Sequence, residues 1–360
     1  MLHFLAMSEL KMTMTIPNGI FVKQYLTKKE GLFVGKLFWI IDEEWSDYQY
    51  ETETLTRNFP DCEIRCSGYD YEAALSEYGY RADAILSQIY TNIPESTIAR
   101  LEKCKAIAIY GGGFDRVDIE AAGKKGIPVT NVQGYCAEDL ADYVIAAIYH
   151  AKKNLTGFMP QISQGLWGAQ VITVPPTRVA SSVLMIVGFG RIGSTAAKKA
   201  INLGMEVIAY DPYVDAETMA KAGVKKVSWE DGITYADFIS VHAKLYEGTR
   251  GMIGMSDFKK MKSSAVLINT SRGDVLSEND LIDAVESKEI AGAFIDVISH
   301  EPPTGDERIF KVKNIMVTPH ISYISKESFQ ELKSRTVANA LAMLDNQRPS
   351  DVVNLKYLPK

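Results

Sequence analysis

The sequence predicts an α/β protein built as two doubly wound parallel-sheet domains. Three observations carry that expectation. Short apolar runs alternate with helix-like segments along most of the chain, a glycine-rich turn joins one such run to a helix, and 360 residues favour two cores over one.

The first α/β region opens with an apolar run at 37–41 that ends at Asp42, and further strands are expected at 62–66, 84–86, 106–110 and 129–132. Helix-like segments lie at 71–78, 94–101 and 118–125. Such short apolar strands need cover on both faces. A longer helix is expected over 137–152, with Leu140, Tyr143, Val144 and Ala147 at helical spacing. The stretch containing Gly157, Pro160, Gly165, Gly168, Pro175 and Pro176 reads as the crossing between domains. The second region has strands expected at 183–187, 206–210, 237–242, 265–270, 293–297 and 315–318, with helices reaching about 203 and covering 256–261 and 278–287. The residues after His320 form mostly one helix over 325–345, too little for another domain, so that helix is expected to return to the first. The domains are therefore expected to be discontinuous: 1–150 with 322–360, and 151–321.

The bulk chemistry narrows the partners. The chain is 46% hydrophobic and 23% charged, with a formal net charge of -6 and no long basic run, which argues against nucleic acid. Cys62, Cys66, Cys104 and Cys136 form no CxxC pair, so no metal is expected and the thiols read as buried and reduced. No apolar stretch reaches the roughly 18 residues of a membrane span. The start of the chain, with Glu9 and no sustained apolar region, does not suit a signal peptide; it is expected to be loosely held, Met7, Met12 and Met14 leave the true start open, and the expected address is the cytoplasm.

Gly188-Phe189-Gly190-Arg191-Ile192-Gly193 follows the strand at 183–187 and opens a helix, and the next strand ends in Asp211. That context points to dinucleotide binding. Gly188 permits the turn, Gly190 lets backbone approach a pyrophosphate, Gly193 lets helix and strand pack, and the helix N-terminus supplies N–H groups. Asp211 suits a ribose diol and would repel a 2′-phosphate, which selects NAD over NADP. A glycine turn in an unrelated α/β protein is the alternative.

A second constellation is spread out: Asn269-Thr270-Ser271-Arg272-Gly273, Asp296-Val297 running to Glu301-Pro302, and Thr318-Pro319-His320. Each follows an expected strand, which puts Arg272, Asp296, Glu301 and His320 at the sheet edge that holds the glycine loop. An arginine, a carboxylate and a histidine are the residue types that grip a carboxylate, orient an imidazole and take a hydroxyl proton. Singly, each has an ordinary explanation as a surface charge, a solvated loop residue or a turn cap.

These motifs, in this order, resemble the D-isomer-specific 2-hydroxyacid dehydrogenases, which include phosphoglycerate, glyoxylate/hydroxypyruvate, D-lactate and formate dehydrogenases. The resemblance runs from about Lys36 to Leu355 and includes Tyr210-Asp211-Pro212 and Tyr110-Gly111-Gly112-Gly113-Phe114-Asp115. It implies a Rossmann NAD-binding domain at 151–321 and a flavodoxin-like substrate domain from 1–150 and 322–360. It implies that Arg272 binds the substrate carboxylate and C2 oxygen, that His320 is the acid/base paired with Glu301, and that amides at Gly112 and Gly113 hold the carboxylate. The cofactor, NAD, would be bound by Gly188, Gly190, Arg191, Ile192, Gly193, Asp211, His242, Ala243, Thr270, Ser271 and Asp296, the last near the nicotinamide carboxamide. The partner implied is a small 2-hydroxy or 2-keto acid, and the assembly a homodimer.

Within the family, Gly134 to Asp139 and Pro319 to Ser328 look most like bacterial relatives of the C-terminal-binding-protein corepressors, so an NAD(H)-sensing binding protein is the alternative to an enzyme. Ser322-Tyr323 and Lys244-Leu245 depart from common family patterns, and no appended regulatory domain is expected. The chain has no G-x-S-x-G elbow and no HExxH pair, which leaves a hydrolase unsupported.

Overall fold

Successive side chains of a strand point to opposite faces, so a strand buried at every position must be covered on both. The structure, a computed structural model, describes residues 13–15, 21–23, 35–154, 157–172 and 175–359. The chain divides into two units: Met1–Tyr135 with Phe329–Lys360, and Cys136–Ser328. Strand β1 (Thr13–Thr15) pairs antiparallel with β2 (Phe21–Lys23). Apart from these strands, the start of the chain, expected to be loosely held, lies outside the described residues.

The first unit holds a parallel sheet of β3 (Leu37–Ile41), β4 (Glu63–Ser67), β5 (Ala84–Gln88), β6 (Ala106–Tyr110) and β7 (Val129–Thr130), ordered β4-β3-β5-β6-β7. This is the flavodoxin-like order. β3, β5 and β6 are buried at all positions. Leu37, Trp39 and Ile41 share one core cluster, with Trp39 edge-on to Tyr71 and Tyr78 at centroid distances of 5.5 and 6.0 Å. The last residues are stitched into this unit: Asn354 Oδ1 accepts from the Val129 amide at 2.9 Å, and Lys333, 7% exposed, reaches Glu51 at 3.5 Å among the rings of Trp45, Tyr48 and Phe329.

The second unit is a seven-stranded parallel sheet of β8 (Val183–Val187), β9 (Glu206–Tyr210), β10 (Lys225–Lys226), β11 (Phe238–Val241), β12 (Val266–Asn269), β13 (Gly292–Ile295) and β14 (Ile315–Val317). Its order, β10-β9-β8-β11-β12-β13-β14, reverses direction between β8 and β11 and is that of a Rossmann fold. Val183, Met185 and Val187 enter one core cluster, and Leu184 and Ile186 enter another on the opposite face. The helix Ala137–Lys153 gives Ala141, Val144, Ala147 and Ile148 to that second cluster. The unit boundary therefore falls at Cys136, before this helix, and not at 151.

None of the four cysteines is in a disulfide; Cys104 and Cys136 are buried as expected, whereas Cys62 and Cys66 are only half-buried. Among the described residues no group of His, Cys, Asp or Glu is arranged to hold a metal ion, and no helix is long and apolar enough to cross a membrane.

Candidate active site

In a parallel sheet all strands leave by the same edge, and here one line of register crosses six strands of the second unit. Tyr210 pairs with Val187, Val187 with Val241, Val241 with Asn269, Asn269 with Ile295, and Ile295 with Val317. The residue after each is Asp211, Gly188, His242, Thr270, Asp296 and Thr318. Core packing thus delivers the start of every loop named from sequence in this unit to a single row.

The glycine loop sits at the point where strand order reverses. Gly188 has φ 93°, which L residues rarely adopt, and a Cβ there would approach the His242 carbonyl carbon at 2.9 Å. A Cβ on Gly193 would collide with the Gly188 carbonyl oxygen. A Cβ on Gly190 would meet no atom within 4 Å, so the loop is open where backbone would face a phosphate. Gly190 also caps the helix Arg191–Asn202 without a side chain, leaving first-turn amides for a ligand. Asp211 is fixed by the same loop: Oδ2 accepts from the Phe189 amide at 2.8 Å, and Oδ1 from the amides of Tyr213 and Val214 at 2.8 and 3.2 Å. Lys244 is exposed on the loop after β11.

Two buried polar atoms on the row lack a hydrogen-bond partner, Thr270 Oγ1 and His242 Nδ1. Buried polar groups are nearly always satisfied, so the pair marks where an outside group belongs. The open loop, the fixed carboxylate and these orphaned atoms together fit a dinucleotide. The other His242 nitrogen, Nε2, lies 2.9 Å from Ser240 Oγ. Burial drives the His242 pKa down to about 4. As pH falls from about 6.5 towards 4, the unfolded chain takes a proton that the buried ring refuses, so the fold loses stability, on the order of 3 kcal/mol at the acid end. A His242→Gln variant is expected to lack this loss, which calorimetric Tm values between pH 4 and 8 will show as a shallower acid slope than the parent's.

Asn269, fully buried, builds the next loop: Nδ2 donates to the Arg272 carbonyl at 2.9 Å, and Oδ1 accepts from the Ser271 amide and hydroxyl at 3.0 and 2.8 Å. Arg272 Nη1 donates to the Ser271 carbonyl at 2.8 Å. A Cβ on Gly273 would collide with the backbone of Ile298 and Ser299, so glycine is what lets the Arg272 and Glu301 loops lie against each other. Glu301 Oε1 accepts from the Ile298 amide at 3.0 Å, and Oε2 lies 3.0 Å from His320 Nδ1, both side chains being 13% exposed. Burial by itself raises the Glu301 carboxyl, but the His320 hydrogen bond and charge, the Ile298 amide and the Arg272 guanidinium outweigh it and hold the carboxyl below its usual range. An ionised carboxylate only accepts, so Nδ1 carries the proton and Nε2 is the nitrogen that can exchange one.

Asp296, 1% exposed, turns its carboxylate to the following loop, accepting from Thr318 Oγ1, Ile321 N and Ser322 N at 2.6, 2.9 and 2.8 Å. Tyr143 finds its partner far along the chain: its hydroxyl meets Thr318 Oγ1 at 2.7 Å, across 175 positions. Helical spacing had placed Tyr143 on an apolar face, and no local signal links it to Thr318. In the first unit, the Gly112 carbonyl accepts from Asn131 Nδ2 at 2.6 Å, and a Cβ on Gly112 would find only the Val132 carbonyl oxygen, at 3.9 Å.

Comparison with known proteins gives the family. The chain is 32% identical over 321 residues to a glyoxylate reductase of Thermococcus litoralis, spanning 84% of this chain and 97% of the relative. The chain belongs to the D-isomer-specific 2-hydroxyacid dehydrogenase family. The family model for its NAD-binding domain matches residues 145–322 of this dehydrogenase. A hydroxypyruvate reductase of Blautia hydrogenotrophica is 31% identical over 297 residues, covering 81% of this chain and 90% of its own. Among solved structures, D-lactate dehydrogenase from Aquifex aeolicus, complexed with NAD and lactic acid, shares the fold at a TM-score of 0.76 and 23% identity, over 89% of this chain and 97% of that one. The dehydrogenase is thus an NAD-dependent oxidoreductase acting on CH–OH donors.

Proposed function

We propose that this dehydrogenase interconverts a small D-2-hydroxy acid and its 2-keto acid, of the glyoxylate or hydroxypyruvate kind or with a longer chain, using His320 as acid/base. The observation that carries the reading is the Glu301–His320 pair, which leaves Nε2 as the exchanging nitrogen. NAD supplies the hydride acceptor when bound, and would be held by the glycine loop and Asp211 with His242 and Thr270 on the row and Ala243 and Ser271 just after it. Arg272 grips the substrate carboxylate and polarises the C2 oxygen, a task suited to a fixed guanidinium fork. The Gly112 and Gly113 amides of the first unit are assigned to the substrate by family likeness. In oxidation, His320 Nε2 takes the hydroxyl proton as the C2 hydride leaves, and the Glu301 carboxylate steadies the imidazolium. In reduction, the imidazolium returns that proton to the C2 oxygen.

The names of the relatives, a glyoxylate and a hydroxypyruvate reductase, support small substrates. Four cysteines outside any disulfide support a cytoplasmic address. Met159, Ile162 and Trp167, 65%, 54% and 76% exposed within one stretch, support a homodimer, because a lone chain would leave this apolar surface wet. Light scattering should then give twice the chain mass.

The deciding experiment follows NADH oxidation with glyoxylate, hydroxypyruvate, pyruvate and longer 2-keto acids. Turnover is expected with at least one. An NAD(H)-sensing binding protein would bind NADH and oxidise it with none.

A further inference from the structure

Among the described residues, four non-glycine positions have positive φ: Asn154, Lys288, His320 and Asn346. Three of them follow the helices Ala137–Lys153, Glu278–Glu286 and Lys326–Leu344, where a left-handed residue closes a helix. His320, at φ 52°, follows a strand and has no helix to close. Something else must hold it in a conformation that L residues seldom keep.

Asp296 grips the chain on both sides of that position. Its carbonyl accepts from the His320 amide at 2.9 Å. Its Oδ1 accepts from the Thr318 hydroxyl at 2.6 Å and the Ile321 amide at 2.9 Å, and its Oδ2 from the Ser322 amide at 2.8 Å. The direction of the outer bond follows. Thr318 spends its single proton on the carboxylate, so Tyr143 must donate to Thr318 Oγ1, at 2.7 Å. Burial pushes the Tyr143 hydroxyl up to about 12, which keeps that proton in place.

We propose that Asp296 is a positioning residue that holds His320 in its left-handed conformation, and that Tyr143, through Thr318, fixes Asp296 in turn. The proposal rests on the reading of His320 as acid/base. The chain of bonds aims the imidazole at its partner Glu301 and gives Asp296 a role separate from any contact with NAD.

The test uses Asp296→Asn, Tyr143→Phe, Thr318→Val and Thr318→Ser in the full chain. Three quantities are read: NADH Kd by fluorescence, kcat and KM for the accepted keto acid, and the His320 ring signal in 15N-histidine spectra, identified by its loss in His320→Gln. Asp296→Asn is expected to lower kcat by about 100-fold, the effect of misplacing a reacting group by about 1 Å. The ring signal should move, and NADH Kd should stay within about threefold in Tyr143→Phe and Thr318→Val, which remove no group assigned to NAD. Tyr143→Phe and Thr318→Val should do the same more weakly, and Thr318→Ser, which keeps the hydroxyl, should restore the parent. Unchanged kcat in Asp296→Asn, or weakened NADH binding with an unmoved ring signal, would overturn the proposal. Should Asp296→Asn not fold, the two milder variants and the serine rescue decide it. If His320→Ala kept full turnover, the acid/base reading alone would fall, and the ring signal in Thr318→Val would still report on the clamp.

Discussion

Alanine at position 320 is expected to lower turnover of every accepted keto acid by about 100- to 10,000-fold, the range that a positioned acid/base contributes. NADH binding should stay within a few-fold of the parent, because the glycine loop and Asp211 keep their own bonds. The loss should show in kcat as well as in kcat/KM, since proton transfer to the C2 oxygen belongs to the chemical step. Glu301→Gln separates the imidazole from its support. The glutamine keeps the shape but not the charge that favours the imidazolium, so keto-acid reduction, which needs a protonated ring, should slow. Single-turnover NADH oxidation across pH, beside NADH fluorescence titration, checks both variants. Full turnover by His320→Ala would remove the acid/base assignment.

Arg272→Gln is expected to cost about 100- to 10,000-fold in kcat/KM, because two charge-assisted hydrogen bonds to a carboxylate, each about 1.5–3 kcal/mol, go at once. Most of the loss should appear in KM for the keto acid, with a further part in kcat if the guanidinium also polarises the C2 oxygen. Arg272→Lys should recover charge but not the fork, and so only part of the rate. Steady-state kinetics at saturating NADH, with circular dichroism to verify the fold, measure this. A glutamine variant with unaltered KM would move the carboxylate site elsewhere.

How far such a site is legible in sequence depends on where its bonding partners lie. β8 is read at its true ends because all five residues are buried and Gly188 stops the run. Glu301 and His320 are recognisable because each sits just past a strand, so strand periodicity locates them. β10 leaves no trace, since a two-residue edge strand of lysines has no apolar signal. The helix Gln49–Asn58 is equally silent: only Glu51 and Leu55 are buried, and Glu51 is held by Lys333, 282 positions away. The boundary at Cys136 is missed for a related reason. An amphipathic helix shows which face it buries but not against which sheet. Tyr143 and the left-handed His320 belong to the same class, because Thr-Pro-His carries nothing that foretells a backbone clamped from position 296.

The row of residues that ends six strands has a mechanical meaning. Sliding any one strand by a single position would move its loop by about 3.3 Å and turn its core residues towards the wrong face. The hydrophobic interior therefore acts as a ruler for the polar edge. Substitutions within the loops can retune chemistry without disturbing the graduation, whereas a change deep in β8 or β12 would displace groups it never touches.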